Sequence, residues 1–388
     1  MSIAGKGAVP RGAYRWSGVD VEAGDRAVEL MRDSVESTHR PEVVRLGGGF
    51  GGAISIPAGY REPLIVSSTD GAGTKTALVT AAGRWWDTIG VDLVAMCVDD
   101  VVCTGAEPLA FLDYVAVGRL DPEAVANLVA GVAAGCREAG CALVGGETAE
   151  HPGLMEPGSF DVAGTCIGIV ERDDVIDGRA VRAGDAILGL PASGLHANGF
   201  SLVRALLAKW EIPLNRAFQE QLVMTLGDHG RDEAVAAEPE RALATMGDVL
   251  LTPTAIYARR VLAARAALRA AGHDIRGLAH ITGGGLTGNV PRALPSHLGA
   301  RLDPGTWRIP SVMRLFGALG GLEDPELRAT FNGGIGMVVV VAPEAVGVAQ
   351  AALGDALVIG EVAEAASLGA RYVEGTLEMP TRAPVARA

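Results

Sequence analysis

The sequence predicts a mixed α/β fold in two layered domains, and three observations lead there. The chain has 388 residues, enough for two domains that each bury a core. Helix-type and strand-type apolar patterns alternate along it. A charged, glycine-containing segment, ERDDVIDGRAVRAGD, precedes a fresh strand pattern. We therefore predict an N-terminal domain over 1–172 and a C-terminal domain over 173–388.

The clearest helix signal follows Asp121, an N-cap acid succeeded by Pro122 and by Glu123 near the positive end of the helix dipole. Apolar residues then recur at helical spacing from Val125 to Cys136, and Gly140 ends the pattern. Further long helices are predicted at about 21–38, 86–104, 199–210 and 254–271.

Strands are predicted where short apolar runs lie between turn residues. The segments are PLIVSST, LAFLDYVAVG, CALVGG, FDVAGTCIGIV, DAILGLP, MVVVVA and ALVIGEV. The polar, acidic stretch 212–248 has no strand pattern, so a surface excursion with short helices is predicted there.

Charge and hydropathy narrow the class of protein. The net charge is −13, from 33 basic and 46 acidic residues, which disfavours nucleic-acid binding. No apolar run reaches the roughly 18–20 residues of a membrane-spanning helix, and the first residues lack the apolar core of a signal peptide. No membrane association and a cytoplasmic location are therefore expected.

The five cysteines form no CxxC pair. We expect them to be reduced and mostly buried, because free cysteine behaves as a small apolar residue. The cysteines are Cys97, Cys103, Cys136, Cys141 and Cys166.

The segment TDGAGTKT, residues 69–76, resembles a phosphate-binding loop without matching the Walker template. That template requires the lysine directly after the last glycine, whereas Thr74 separates Gly73 from Lys75. An acid at a strand end beside a glycine-rich turn suits Mg²⁺ held by Asp70, with phosphate at the backbone of Gly71 and Gly73. A tight turn capped by Asp70 is the alternative.

Two adjacent acids, Asp99 and Asp100, lie within the apolar stretch LVAMCVDDVVCTGAEPLAFL. A buried carboxylate without a partner is costly, so a metal ion is one interpretation. A solvated helix face is the alternative.

Polar residues also follow predicted strands further along the chain. VGGETAEHPG places Glu147 and Thr148 just past a buried strand end, where ligands collect in α/β layers. PASGLHANGF places His196 and Asn198 in a loop before a helix, where an anion could bind and the histidine could transfer a proton. An exposed loop histidine without a catalytic role is the alternative.

Two glycine runs complete the candidates. HITGGGLTGN contains Gly283, Gly284 and Gly285, which suit phosphate contact or a plain turn. RLGGGFGG contains Gly48 and Gly49, which indicate a mobile lid or a phosphate-touching loop.

In this order the motifs resemble the phosphoribosylformylglycinamidine cyclo-ligase family, also called aminoimidazole ribonucleotide synthetase. The similarity runs from Gly18 to about Val341, and Asp100-x4-Gly105-Ala106-x-Pro108 fits the pattern of a wider ATP-using superfamily. The segments that carry it are GVDVEAGDRAVELM, RPEVVRLGGGFGG, STDGAGTKT, DTIGVDLVAMCVDDVVCTGAEPLAFLDY, GCALVGGETAEHPG, DVAG, SGLHANGFSLVR, TPTAIY, HITGGGLTGNVPRALP and FNGGIGM.

The resemblance implies a homodimer whose N-terminal sheets join in a barrel-like core, a C-terminal mixed sheet with helices, and an active cleft between the domains. It implies ATP-dependent ring closure of formylglycinamidine ribonucleotide, with ATP and Mg²⁺. Asp70 and Asp100, supported by Asp99 and Glu147, would hold the metal.

The other candidate residues would serve ATP and the substrate. Lys75 would contact phosphate as a point charge, and His196 and Asn198 would orient the substrate or move a proton. The phosphate-contacting set is completed by Gly48, Gly49, Gly71, Gly73, Thr74, Thr148, Gly283, Gly284 and Gly285.

This chain departs from the family pattern at several positions. Asp99 stands where Asn is common, and Trp86 stands where His is common. Glu36 and Ser37 occupy a site that is often basic, Ala197 replaces Ser, and Gly288 replaces Glu. A superfamily relative that phosphorylates another metabolite, or a nucleotide-binding homologue without turnover, are the alternative functions.

Overall fold

The structure, a computed structural model, describes residues 16–46 and 51–377. Its strands form a two-stranded sheet (β1-β2), a four-stranded sheet (β3-β6-β4-β5) and a six-stranded sheet (β12-β9-β11-β7-β10-β8). The strands are β1 Val43–Val44, β2 Ala53–Ile54, β3 Pro63–Gly71, β4 Glu107–Val117, β5 Ala142–Glu150, β6 Phe160–Glu171, β7 Ala186–Pro191, β8 Gly277–His280, β9 Leu298–Leu302, β10 Ile335–Val341, β11 Leu357–Glu364 and β12 Tyr372–Glu374.

Helices are interspersed with these strands. They are α1 Val21–Glu36, α2 Thr76–Ala82, α3 Trp86–Val102, α4 Pro122–Ala139, α5 Phe200–Lys209, α6 Phe218–Ala237, α7 Met246–Leu250, α8 Ala258–Ala270, α9 Gly285–Asn289, α10 Ser311–Gly320, α11 Asp324–Thr330, α12 Val346–Leu353 and α13 Ala365–Leu368.

The four-stranded sheet has one covered face and one open face. Helix α3 packs against β3 and β6, and α4 packs against α3 and β5. On the other face Ile65 of β3 is 59% exposed and Tyr114 of β4 is 41% exposed. Large apolar side chains on an uncovered sheet are typical of a surface that another element covers.

Glycines let α3 and α4 approach closely. A Cβ atom on Gly131 of α4 would overlap the backbone carbonyl of Asp87, and one on Gly90 of α3 would overlap that of Leu128. Neither backbone can yield without parting the helices, so both positions require a residue without a side chain.

The six-stranded sheet forms the centre of the C-terminal half. All seven residues of β10 are buried, and β7 and β8 pair with it on either side. One contiguous apolar core runs through both halves, from Leu93 and Val98 of α3 to Val261 and Leu268 of α8. The two halves are therefore packed against each other through apolar side chains.

The predicted mixed fold is confirmed, and most element boundaries agree within a few residues. Asp121 caps α4 by accepting from the N–H groups of Glu123 and Ala124, and Pro122 is its first residue. All five cysteines are free, and Cys103 is the one among them that is not buried.

Three predictions about elements were incomplete or wrong. Strand β5 continues through Glu150, so Glu147 and Thr148 lie within the strand and not beyond its end. The stretch 212–248 contains a 20-residue helix, broken at Gly227 by its positive φ of 74°. The short strands β8, β9 and β12 have no strong pattern in the sequence and were missed.

The four-stranded sheet ends at Glu171 and the six-stranded sheet begins at Ala186. The domain division at residue 172 stays a prediction, because it concerns which part of the chain folds as a unit. Among the described residues, no helix is both long and apolar enough to cross a membrane.

The α3–α4 contact generates a stability prediction. Gly131→Ala should lower the free energy of unfolding by about 1–3 kcal/mol, because the added methyl group overlaps the Asp87 carbonyl. Gly24→Ala in α1 is the matched control: its Cβ atom meets no atom within 4 Å, and alanine favours helix, so stability should rise slightly. Urea denaturation of both variants measures the difference; equal stabilities would contradict this view of the contact.

Candidate active site

Helix α3 carries two fully buried aspartates that bind the C-terminal half. Asp92 and Asp99 are seven residues apart, so their side chains project from the same face two turns apart. Asp92 accepts from the N–H of Thr254 at 2.8 Å and from its hydroxyl at 2.6 Å. Asp99 accepts from the N–H of Tyr257 at 3.0 Å. Together they hold the segment that leads into α8.

Lys75 does not reach a phosphate site, contrary to the sequence-based prediction. Its side chain is fully buried, and Nζ lies 2.7 Å from an Asp92 carboxylate oxygen. Nζ also donates to the backbone oxygens of His196 at 3.0 Å and Thr252 at 2.8 Å. Burial lowers the pKa of Lys75 and raises that of Asp92, and their mutual attraction opposes both shifts. With three acceptors around three donors, Lys75 joins the halves of the chain.

Asp99 was also predicted wrongly as a metal ligand. Both of its oxygens lie within hydrogen-bonding distance of the Tyr257 N–H at the start of α8, and the side chain has no exposed surface. Burial raises its pKa to about 7. The apolar surroundings that suggested a metal in the sequence instead contain a helix-capping carboxylate.

His196 is buried, not an accessible loop side chain. It adopts a positive φ of 62°, and its Nε2 accepts from the N–H of Ser193 at 3.2 Å. The ring packs so closely on Gly336 that a Cβ there would clash with it. Burial, then the nearby charges of His280 and Lys75, lowers its pKa to about 3. A neutral, enclosed ring does not meet a substrate in this conformation, and the proton-transfer role of His196 stays a prediction.

Asp70 and Asp100 are the acids that remain accessible. Asp70 shares a face of β3 with Ser68, because side chains two residues apart point the same way. The Ser68 hydroxyl lies 3.4 Å from an Asp100 oxygen, on the side of the sheet that α3 covers. After burial, the negative charges of both aspartates help raise the pKa of Cys97 to about 12. The Cys97 thiol lies 3.9 Å from the Asp70 backbone oxygen, and Asp100 follows Cys97 by three residues on α3, so both acids lie near this thiol.

His280 is a site residue that sequence reasoning missed. Its Nδ1 lies 3.0 Å from an Asp100 oxygen, and its Nε2 is buried without a hydrogen-bond partner in the described chain. Both residues line a cavity of about 340 Å³, together with Ser68 and Arg292. The signal was available: His280 directly precedes the run ITGGG at the end of strand β8.

Glu147 and Thr148 lie away from these acids. Asp70 is aligned with Gly164, Asp113 and Gly146 across the four strands, so Glu147 belongs to the next position and points to the opposite face. Three strand spacings, about 14 Å, also separate β5 from β3. Within one chain Glu147 and Thr148 therefore lie apart from Asp70, and the metal role of Glu147 stays a prediction.

The glycine turn after β8 presents backbone N–H groups to solvent. Asn289 donates to the carbonyl oxygens of Thr282, Gly283 and Gly285 and so fixes the peptide planes of the turn. Because each peptide N–H points opposite to its carbonyl, the N–H groups of Gly283 and Gly284 point away from Asn289. This forms an anion-binding concavity of two amides.

Gly285 differs from Gly283 and Gly284 in its contacts. Its N–H is bonded to Thr282, and a Cβ would overlap the Arg328 backbone, so it serves packing instead of the predicted phosphate contact. Asn198 lies beside the turn, with its side-chain oxygen 3.7 Å from where a Cβ on Gly283 would be.

The turn after β3 meets the loop that contains His196. A Cβ on Gly73 would lie 3.6 Å from the Ala197 carbonyl, and the Thr74 hydroxyl lies 3.4 Å from that of Ser201. Gly71 cannot carry a side chain, because a Cβ would come within 2.9 Å of the Val162 carbonyl. Gly48 and Gly49 fall outside the described residues.

The acids present fit Mg²⁺ bound jointly with phosphate. Among the described residues no three His, Cys, Asp or Glu side chains converge as a closed metal site. Mg²⁺ commonly uses only one or two carboxylates and takes its other ligands from phosphates and water. Asp70 and Asp100 are both accessible and lie on the side of the four-stranded sheet that α3 covers, and they match that donor set.

Two family models match consecutive parts of the chain. "AIR synthase related protein, N-terminal domain" matches residues 54–170, and "AIR synthase related protein, C-terminal domain" matches residues 182–373. A phosphoribosylformylglycinamidine cyclo-ligase of Gloeobacter violaceus is 50% identical, and the alignment covers 92% of this chain and 98% of that one. The chain belongs to the phosphoribosylformylglycinamidine cyclo-ligase family.

Another cyclo-ligase, from Geobacillus kaustophilus, is 45% identical over 92% of this chain and 97% of its own. Solved structures share the fold at lower identity. Hydrogenase maturation protein HypE in complex with ATP has a TM-score of 0.56 at 20% identity, covering 90% of each chain. Thiamine-monophosphate kinase from Stenotrophomonas maltophilia has a TM-score of 0.57 at 16% identity, covering 92% of this chain and 97% of the other.

The pKa of His196 generates a pH prediction. Between pH 6.5 and about 3 the unfolded chain binds a proton here that the folded chain does not, so stability falls as the pH drops through that window. His196→Asn, which tolerates a positive φ, should lose less stability than the wild type between pH 7 and pH 4.5, by on the order of 2 kcal/mol.

Chemical denaturation at the two pH values measures this difference. His229→Asn, at a side chain that is 89% exposed, should behave as the wild type does. If both variants lost stability in parallel with the wild type, His196 would not be held neutral by the fold.

Proposed function

We propose that this protein closes the imidazole ring of 5-aminoimidazole ribonucleotide from formylglycinamidine ribonucleotide, with ATP converted to ADP and phosphate. The observation that carries the proposal is a pair of accessible carboxylates, Asp70 of β3 and Asp100 of α3, on the side of the sheet that α3 covers, in a chain that is 50% identical to a named cyclo-ligase. Family membership supplies the reaction, and the two acids supply a place for a nucleotide with its metal.

Asp70 and Asp100 would hold Mg²⁺, and His280 would orient the Asp100 carboxylate. When bound, Mg²⁺ supplies positive charge that offsets the triphosphate. Metal-bound carboxylates are commonly oriented by hydrogen bonds from neighbouring residues, and the 3.0 Å contact from His280 is of that kind.

The substrate would be held on the side of the C-terminal half. The outward N–H groups of Gly283 and Gly284 would bind the ribose 5′-phosphate, and Asn198 would orient the amide beside them. Backbone contacts at Gly71, Gly73 and the hydroxyl of Thr74 would serve the ATP phosphates. Positioning the amide oxygen in line with the transferred phosphoryl group is the main catalytic contribution expected of such a site.

Ring closure then proceeds in two stages. Phosphorylation of the formyl amide oxygen converts it into a good leaving group; an amidine nitrogen attacks that carbon, and phosphate departs with the oxygen. Lys75 and His196 would not contact the substrate. Lys75 Nζ donates to the His196 backbone oxygen, and this contact fixes the loop that carries Asn198. We also propose a cytoplasmic location, which the similarity to named cyclo-ligases supports.

We further propose a homodimer formed through the open face of the four-stranded sheet. The supporting observation is the exposure of Ile65 and Tyr114 on a face that the described helices leave uncovered. Joining two such sheets would bury these side chains between the copies.

The metal role of Asp100 is directly testable. Asp100→Asn should lower the turnover of ATP by about a hundredfold or more, because it removes a metal-binding charge, while the melting temperature stays nearly unchanged. Asp87→Asn, at an exposed acid in the first turn of the same helix, should keep wild-type turnover. ADP release should require formylglycinamidine ribonucleotide and should not respond to thiamine phosphate. A fully active Asp100→Asn enzyme would overturn the assignment.

The dimer proposal has its own test. Ile65→Glu should shift the protein from dimer to monomer in sedimentation equilibrium, because it places a charge in the middle of an apolar contact. Leu243→Glu, at a side chain that is 98% exposed, should leave the mass unchanged. A dimer of unaltered affinity in Ile65→Glu would place the interface elsewhere.

A further inference from the structure

A cavity of about 970 Å³ lies between the two halves and is lined by arginines. It is bounded by residues at the ends of α1 and α4 and by the side of α8. The arginines are Arg40, Arg137, Arg259, Arg265 and Arg269. We call it the arginine cavity. Three acids, Glu107, Glu171 and Asp174, line it as well.

Three of these arginines form ion pairs with acids of the protein. Arg40 pairs with Glu42 at 2.9 Å and with Glu107 at 2.8 Å. Arg265 pairs with Asp274 at 2.9 Å, and Arg269 pairs with Asp174 at 2.8 Å. Arg265 also donates to the Gly105 backbone oxygen at 3.4 Å, which ties α8 to the N-terminal half.

The acids of the cavity wall also have partners within the protein. Glu107 and Asp174 serve Arg40 and Arg269 as described, and Glu171 accepts from the backbone N–H groups of Arg61 and Glu62, each at 2.8 Å. Glu171 keeps its negative charge, because its donors are neutral backbone groups, and none of these three acids pairs with Arg137 or Arg259.

Arg137 and Arg259 are the two arginines of the cavity that make no ion pair with a described acid. Arg137 donates to the Ser37 hydroxyl, which carries no charge. Arg259 lies against the backbone of Gly140 and makes no ion pair with any described residue. One comes from the C-terminal turn of α4 and the other from the first turn of α8, so two guanidinium groups without an acidic partner among the described residues line the cavity from opposite halves of the chain.

We propose that the arginine cavity binds a phosphorylated metabolite of nucleotide size, whose phosphate bridges Arg137 and Arg259. Guanidinium groups bind phosphate through paired, charge-assisted hydrogen bonds, and two of them match a dianion. The volume lies in the range of small-molecule sites. Tyr60 and Leu262 line the same cavity and offer apolar surface to the organic part of the ligand.

This site is distinct from the candidate active site. The cavity contacts Glu171, which is aligned with Pro63 at the start of β3, whereas Asp70 lies seven residues further along that strand, about 23 Å away. Its wall includes Ile169 and Glu171 of β6, at the end of the four-stranded sheet that is remote from Asp70. The inference therefore does not depend on the proposed reaction.

One element connects the two places. Helix α8 carries Arg259, and the residue before the helix, Tyr257, is bonded to Asp99 next to Asp100. A ligand that joins Arg259 to Arg137 would hold α8 against α4, and so would stabilise the arrangement of the halves around the Asp100 site. We infer an effector site that acts through the position of α8.

Calorimetry of the full-length protein tests the proposal. AMP, pyrophosphate and adenosine are titrated separately, with a non-hydrolysable ATP analogue present at saturation to occupy the candidate active site. The proteins are the wild type, Arg137→Ala/Arg259→Ala, and Arg260→Ala as a matched control. Arg260 is the neighbour of Arg259 on α8 and pairs instead with Asp355.

AMP or pyrophosphate should bind the wild type and Arg260→Ala, and the double variant should bind at least about tenfold more weakly. Adenosine, which has no phosphate, should not bind. Tighter binding of AMP than of pyrophosphate identifies a nucleotide-like ligand, and the reverse identifies an inorganic polyphosphate.

Two results would overturn the proposal: equal affinity in the wild type and the double variant, or no binding of either anion to the wild type. The melting temperature without probe verifies that the double variant is folded. Arg259→Lys provides a second check, since it keeps the charge and loses the paired donors, and so should bind with intermediate affinity.

Discussion

The buried ion pair between Lys75 and Asp92 is the interaction on which the arrangement of the two halves depends. Both side chains have no exposed surface, so each charge is tolerable only because the other is present. The lysine also satisfies the carbonyl oxygens of His196 and Thr252, while the aspartate satisfies Thr254. A single pair thus determines where the Asn198 loop and the segment leading into α8 lie.

One face of helix α3 carries buried acids that hold the two halves together, and a neighbouring face carries the accessible acid of the candidate site. Asp92 and Asp99 point into the junction, where burial holds them to fixed backbone donors. Asp100, one residue further, is 40% exposed and faces Ser68 and His280. Adjacent acids on a helix point about 100° apart, which is enough to place one in the core and its neighbour at the site. The same helix therefore fixes the halves and presents the accessible acid.

The sequence predicted much of the fold and only part of the site, for identifiable reasons. The α4 helix was readable because its cap and its apolar stripe are local features. Asp100 was recognisable from a motif, but the exclusion of Asp99 required the location of Tyr257, 158 residues away. The position of Glu147 relative to Asp70 was not predictable from the sequence, because the face of the sheet on which a residue lies depends on the register across four strands. Lys75 resembled a phosphate ligand because a sequence does not reveal burial by a distant segment.

The turn held by Asn289 has a consequence for solvent exchange. Three carbonyl oxygens are collected by one side-chain amide, so the orientation of the glycine peptides is set when the chain folds and before any anion arrives. The amides of Gly283 and Gly284 should then exchange with deuterium rapidly, while those of Gly285 and Gly288, bonded to Thr282 and Gly284, are slow. An anion that occupies the turn would slow the first pair and leave the second unchanged, which makes two adjacent amides a native reporter of occupancy.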